Sequence, residues 1–170
     1  VASPTHLYVA DSGYNRILEL SFDGHVTRHF GSGNPGHWDA RGTESGFCNP
    51  VGLALWKDQL FVADTGNHSV RRIRLVSGDV ETLAGTGSCD RPPTADIAQP
   101  RSASMASPLD LAVLGERLYV AMAGAHQVWQ LDLGRGSMSL FAGNGREDAV
   151  DGTGSFCSFA QPSALAVTPE

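Results

Sequence analysis

Cysteine is nearly missing: three of 170 residues, Cys48, Cys89 and Cys157, with no Cys-x-x-Cys spacing. Such an odd, scattered set builds neither a disulfide framework nor a zinc knuckle, and it points to a reducing, cytoplasmic compartment. Charge is sparse too, at 18% against about 25% in ordinary domains. What charge there is leans acidic, with 12 Lys and Arg against 18 Asp and Glu for a net −6. That balance argues against a general phosphate-binding surface, so nucleic acid is not an expected partner. No apolar run approaches the ~18 residues of a membrane span, and none holds helical spacing over ~10 residues. The chain opens at Val1 with neither a methionine nor a basic-apolar leader, and reads as an excerpt of something longer. Glycine, by contrast, is abundant, at 20 residues. Short apolar runs separated by glycine are the pattern of many strands and tight turns.

The organising signal is repetition, a sign of modular folds. LYVADSGYNRILELSF at 7–22, LFVADTGNHSVRRIRL at 60–75 and LYVAMAGAHQVWQLDL at 118–133 align. Each is followed by a run ending in glycines, then by a loop that closes on Pro50, Pro108 or Pro162 and an apolar stretch. These prolines lie 58 and 54 positions apart, giving units of roughly 1–55, 56–113 and 114–167. In the second unit, four strands are expected at 52–55, 60–63, 69–75 and 79–83. The third of these is at least partly apolar on both faces: Ile17, Val70 and Val128 lie on one, and Leu18 and Leu20, Ile73 and Leu75, and Trp129 and Leu131 on the other. A strand covered on both sides belongs to a sheet packed between two others. Four antiparallel strands per unit, stacked face to face, predict an all-β fold, a β-propeller of three four-stranded blades.

VADSGYNRI, VADTGNHSV and VAMAGAHQV resemble the core of the NHL repeat, and the flanking P-x-G-L-A and A-G-x-G runs fit it as well. The resemblance covers the whole chain and implies half of a six-bladed ring. It also implies a thioredoxin-like domain ahead of the propeller in some members, although no redox motif stands in this chain. Within the motif, Asp11 and Asp64 are expected to accept backbone N–H groups two or three residues on. Gly13, Gly66 and Gly124 are expected at positive φ. Asn15, His68 and His126 are expected to tie turns together through their side chains. The third unit, with Met122-Ala123 where the others have an acid, must close its turn differently.

Ala2 aligns with Leu55 and Val113, five residues before the leucine that opens the next strand, and Val167 aligns there too. Three blades fall short of the ~4–8 that close a ring. Two copies are therefore expected to join head to tail, Ser163–Val167 of one pairing beside Leu7–Asp11 of the other. The alternative is that the rest of a longer chain supplies the missing half.

Catalytic signatures are sparse. There is no Walker, zincin or nucleophile-elbow motif, and no metal or other cofactor is expected. His68 and His126 fall in separate units, too far apart to share a zinc ion. Asp148-Ala-Val-Asp151 lacks the residue order of a calcium loop and reads as an acidic turn. Asn67-His68-Ser69 fits a glycosylation sequon that coincides with the turn. Arg71, Arg72 and Arg74 form one basic cluster; Arg72 and Arg74 share a strand face, Arg71 stands on the face of Leu18 and Trp129, and a solvated or interblade pairing role is expected of them before RNA binding. The loops 31–49, 85–107 and 143–161 all return from an outermost to an innermost strand, so they share one face of the disc. They differ in sequence and carry His37, Trp38, Asp39, Arg41, Glu44, Arg91, Arg101 and Glu147. Variable loops on a rigid frame carry function, and a tryptophan among polar residues is either an interface anchor or folded over its own blade. The expected function is a non-catalytic scaffold binding a protein or peptide through His37, Trp38, Asp39, Arg41 and Glu44. The alternatives are a hydrolase or lyase centred on the channel, where Asp110 is the one acid on an inner strand, and an RNA-binding module.

Overall fold

The computed structural model describes residues 1–90 and 96–168; Arg91, named above, lies outside them. Twelve strands form three antiparallel sheets. The first contains β1 (His6–Asp11), β2 (Arg16–Ser21) and β3 (Val26–Phe30). The middle sheet contains β5 (Pro50–Trp56), β6 (Gln59–Asp64), β7 (Ser69–Arg74) and β8 (Asp79–Ala84), plus a two-residue fifth strand, β4 (Ala40–Arg41), on its outer edge. The third contains β9 (Pro108–Leu114), β10 (Arg117–Met122), β11 (Gln127–Asp132) and β12 (Ser137–Ala142). The strands expected in the second unit are all present: three run one or two residues further at one or both ends, and the third ends one residue sooner. Ala2 bridges Leu7 just as Leu55 pairs with Leu60 and Val113 with Leu118, so Val1-Ala2 stands where the inner strand of the first sheet ends.

The strand alternation assigns each side chain to one of two cores. Leu60, Val62, Ile73 and Val80 of the middle sheet meet Tyr8, Ile17 and Phe30 of the first. Phe61, Ala63, Val70 and Ala84, on the other face, meet Leu111, Leu118, Val120, Met122 and Trp129 of the third. Ile17, Val70 and Ile73 are fully buried, as coverage on both faces requires. Each such side chain removed from water contributes about 1.5–3 kcal/mol.

The loops between sheets are structured. Loop 31–49 crosses to the next sheet, where Ala40 pairs with Val80 and Arg41 with Asp79. Loop 85–107 does the same with one residue: Ile97 and Met138 exchange backbone bonds of 2.8 and 2.9 Å. Strand β4 was not expected, because two residues carry no periodicity. It forms because the outer edge of the sheet otherwise leaves its N–H and C=O groups unpaired.

Two expectations about the turns are corrected. The left-handed residues are Asn15, His68 and His126 (φ 48°, 46° and 55°), not the glycines two positions earlier. Gly66 is required for another reason: a Cβ there would stand 2.7 Å from the Cys48 carbonyl oxygen, and one at Gly124 would stand 3.2 Å from that of Ala106. Gly13 meets nothing within 4 Å. Nor does Asp64 cap its own turn. Lying at the end of β6 and facing back across the sheet, it accepts the Cys48 N–H at 2.8 Å from the start of the inner strand. Asp11 instead accepts from Arg16 at 2.7 Å.

The turns are tied together across sheets, as expected. Asn15 Oδ1 accepts the Asn49 N–H (2.9 Å), His68 Nδ1 that of Ser107 (3.2 Å) and His126 Nδ1 that of Gln161 (3.2 Å). The Thr65 hydroxyl adds a 2.6 Å bond to the Pro108 carbonyl. Residues 161–168 form no strand, yet they follow the same path, with the Leu165 N–H donating to Asp110 at 2.8 Å.

Candidate interaction face

Loop 31–49 is held by a buried cation. Arg71, on β7, is fully buried, and its guanidinium spans three segments. It donates to Asp64 Oδ2 (3.0 Å), to the carbonyls of Gly46 (2.6 Å) and Trp38 (3.0 Å), and to Asp39 Oδ1 (3.1 Å). The Phe47 ring lies 5.2 Å from its carbon centre. Asp64 is buried as well and also accepts from Asn67 Nδ2 at 2.8 Å. Burial pushes the Asp64 carboxyl above the usual carboxylate range, against the pull of Asn67, the Cys48 N–H and Arg71. Asn67 also donates to the Gly36 carbonyl at 2.7 Å, so the amide of the sequon is occupied within the fold.

Asp39 links this interior to the surface. Its Oδ1 accepts the Thr82 N–H and hydroxyl, both at 2.8 Å, and its Oδ2 accepts from Arg101 at 2.7 Å. Burial raises the carboxyl's pKa, but the bonds from Thr82 and the charges of Arg71 and Arg101 outweigh it and hold the group below its ordinary range. His37 is half-buried against Gly87, whose added Cβ would lie 2.7 Å from its Nδ1, and its Nε2 has no partner among the described residues. Desolvation, with Arg71 and Arg101 adding to it and Asp39 opposing, holds this imidazole below the ordinary histidine range.

Trp38 remains 45% exposed. Its indole donates to the Glu44 carbonyl at 2.6 Å and lies flat over Gly36 and Gly46, where any Cβ would collide with the ring. Arg41 is exposed and donates to the Ser77 carbonyl at 2.6 Å; Glu44 is exposed. Loop 31–49 therefore brings His37, Trp38, Asp39, Arg41 and Glu44 together and adds Arg101 from the next loop. Glu147 belongs to the third loop, where Gln161 Nε2 donates to it at 3.5 Å.

The remaining chemistry is occupied internally. Arg72 and Arg74 both pair with Glu81, at 2.6 and 2.8 Å, so with Arg71 buried the basic cluster offers little free charge to a phosphate backbone. Asp110 accepts the Leu165 N–H in a tie across the channel side. Among the described residues, no three His, Cys, Asp or Glu side chains converge as metal ligands. The sequence sets Arg71 on a different strand face from Arg72 and Arg74, but does not show which groups it gathers. The signal was the joint replacement of Asp64 and Arg71 by Met122 and Trp129 in the next unit.

Comparison with known proteins agrees with this architecture. Residues 47–73 match the NHL repeat. Human NHL repeat-containing protein 2 is 34% identical over 186 residues, covering 96% of this chain and 25% of that protein. The chain thus spans about a quarter of the relative's length. Among solved structures, an auxiliary nutrient binding protein from Bacteroides thetaiotaomicron superposes with a TM-score of 0.68 at 15% identity, covering 94% of this chain and 39% of that one. Virginiamycin B lyase from Staphylococcus aureus, a six-bladed propeller, superposes at 0.52 and 17% identity, covering 80% and 37%. At such identities these structures speak for the fold alone. Repeat match, homology and sheet architecture agree: the chain belongs to the NHL-repeat proteins and forms blades of a β-propeller.

Proposed function

We propose that these blades are a non-catalytic interaction scaffold that holds a protein or peptide on the long-loop face. One observation carries the reading: Trp38 presents a half-exposed indole that its surroundings hold rigid. Its N–H is bonded, two glycines form its bed, and the segment beneath is clamped by Arg71. A preordered aromatic surface loses little rotamer freedom on binding, and tryptophan and arginine are the residues that dominate interface energetics. Arg41, Arg101 and Glu44 supply a polar rim of both signs around it. The three free cysteines fit a reducing, cytoplasmic setting. The open flanks of the half-ring are covered either by blades of a longer polypeptide or by a second copy.

The test is a peptide-display selection against the chain, followed by titration of the selected peptides into W38A/R41A. Binding is expected to weaken about tenfold or more, since hot-spot truncations cost ~2 kcal/mol or above, while the circular dichroism spectrum is unchanged. Peptides that bind the folded variant as well as they bind the parent reject this face.

A further inference from the structure

The third loop is a copy of the first, with nothing yet in its grip. Residues 31–49 and 143–161 align without a gap at an offset of 112, and their internal bonds coincide. Gly31 N–H donates to the Gly42 carbonyl and Gly143 N–H to that of Gly154, both at 3.0 Å. Ser32 to Ser45 and Asn144 to Cys157 are both 2.9 Å. Pro35 bridges Phe47 as Glu147 bridges Phe159, and Gly42 and Gly154 share left-handed φ values of 55° and 57°. In this alignment Asp39 corresponds to Asp151.

The first loop shows what such a loop is for. Its Ala40-Arg41 pairs with the outer strand of the following sheet, and Asp39 accepts Arg71 and Thr82 from that sheet. At the third loop, Asp151 is exposed, and among the described residues no strand follows to receive it. The flank beside it is apolar. Phe141 and Leu114 are 50% and 55% exposed, while their counterparts one unit earlier, Leu83 and Trp56, are packed against the third sheet.

We propose that residues 143–161, with Asp151 at their centre, are a latch for one kind of partner. That partner is a further blade of the same repeat type, carrying an aspartate, an arginine seven residues later and a threonine eleven beyond that. This is the pattern of Asp64, Arg71 and Thr82. The other two blades of this chain do not fit. A blade like the third offers Trp129 at the arginine position, and the loop before it, which bridges Met138 through Ile97, leaves its own acid, Asp96, exposed. A second copy joined head to tail sets Leu18, the counterpart of Arg71, opposite Asp151, leaving the carboxylate without a cation in the closing interface. The chemistry therefore selects an arginine-bearing blade over a copy of this chain.

Sedimentation of the wild-type chain, L18R, D151N and L18R/D151N over a concentration series tests this. L18R places an arginine at a half-buried position of the first sheet, seven residues after Asp11 and opposite His29, and so supplies the cation, though not the threonine, of the required partner. L18R is expected to self-associate about tenfold or more tightly than wild type, in line with ~1.5 kcal/mol or more for close charge pairs across interfaces. The gain is expected to vanish in L18R/D151N. Association of L18R no tighter than wild type, or a gain that survives D151N, overturns the proposal. Should L18R fail to fold by circular dichroism, the same pairing is built in cis. The chain is extended after Glu170 by a copy of residues 59–84, which carry the arginine, or by a copy of 117–142, which carry the tryptophan. D151N is expected to lower the melting temperature in the first extension only; equal loss in both overturns the proposal.

Discussion

The middle and third blades solve one packing problem with opposite chemistry. The middle blade pairs Asp64 with Arg71 and reaches Asp39 of the incoming loop, while the third blade buries Met122 and Trp129 in one core, with Ile97 of its own incoming loop packed against them. The ionic version adds direction, because Arg71 takes the carbonyls of Trp38 and Gly46 as well as two carboxylates. The apolar version needs only contact. Buried ion pairs seldom add net stability over a well-packed apolar set. The polar cluster is thus better understood as fixing which loop conformation is adopted, and through it where Trp38 points.

The strongest way to break the comparison is R71L. It leaves Asp64 fully buried and without its cation, and should cost about 3–5 kcal/mol by denaturant unfolding. The triple replacement A40I/D64M/R71W gives the middle blade the residues of the third and should recover most of that loss. A triple variant as unstable as R71L would show that the two blades are not interchangeable.

A smaller contrast separates the middle blade from the first. G66A drives a methyl into the Cys48 carbonyl and should cost about 1–3 kcal/mol. G13A, with open space around it, should stay within about 0.5 kcal/mol of wild type in the same measurement.

The smallest effect concerns pH. His37 titrates below its ordinary value in the folded chain, so the unfolded chain binds the proton first. Its contribution is complete above the unfolded value of about 6.5 and is lost as pH falls from there through the folded value. Wild type should lose stability between pH 7 and pH 5, and H37Q should show a flatter dependence across that window. Asp39 and Glu19, both held below the ordinary carboxylate range, act only at lower pH.

The fold was legible because its period is written three times, and because Ile17, Val70 and Val128 placed apolar groups on both faces of a strand. The alignment of Ala2 with Leu55 and Val113 also appears in the register. The turn chemistry was misread where the controlling contact is distant in sequence. Gly66 is small because Cys48 crosses beside it, and Asp64 faces Cys48 and Arg71; neither neighbour is local. Strand β4 escaped notice for the same reason, since its partner lies about forty residues on. Within the interaction face, Trp38 stood out by its type and Arg71 by its strand face, whereas the carbonyls and carboxylate that Arg71 gathers come from a loop distant in sequence.

The crossing loops give the ring a polarity that matters during synthesis. Each loop clasps the sheet made after it, so a growing polypeptide leaves the ribosome with its clasp exposed before the surface it will hold exists. Blades must then mature in order from the amino-terminal end, each completed only by the arrival of its successor, and a stalled or truncated product will always show the same adhesive edge.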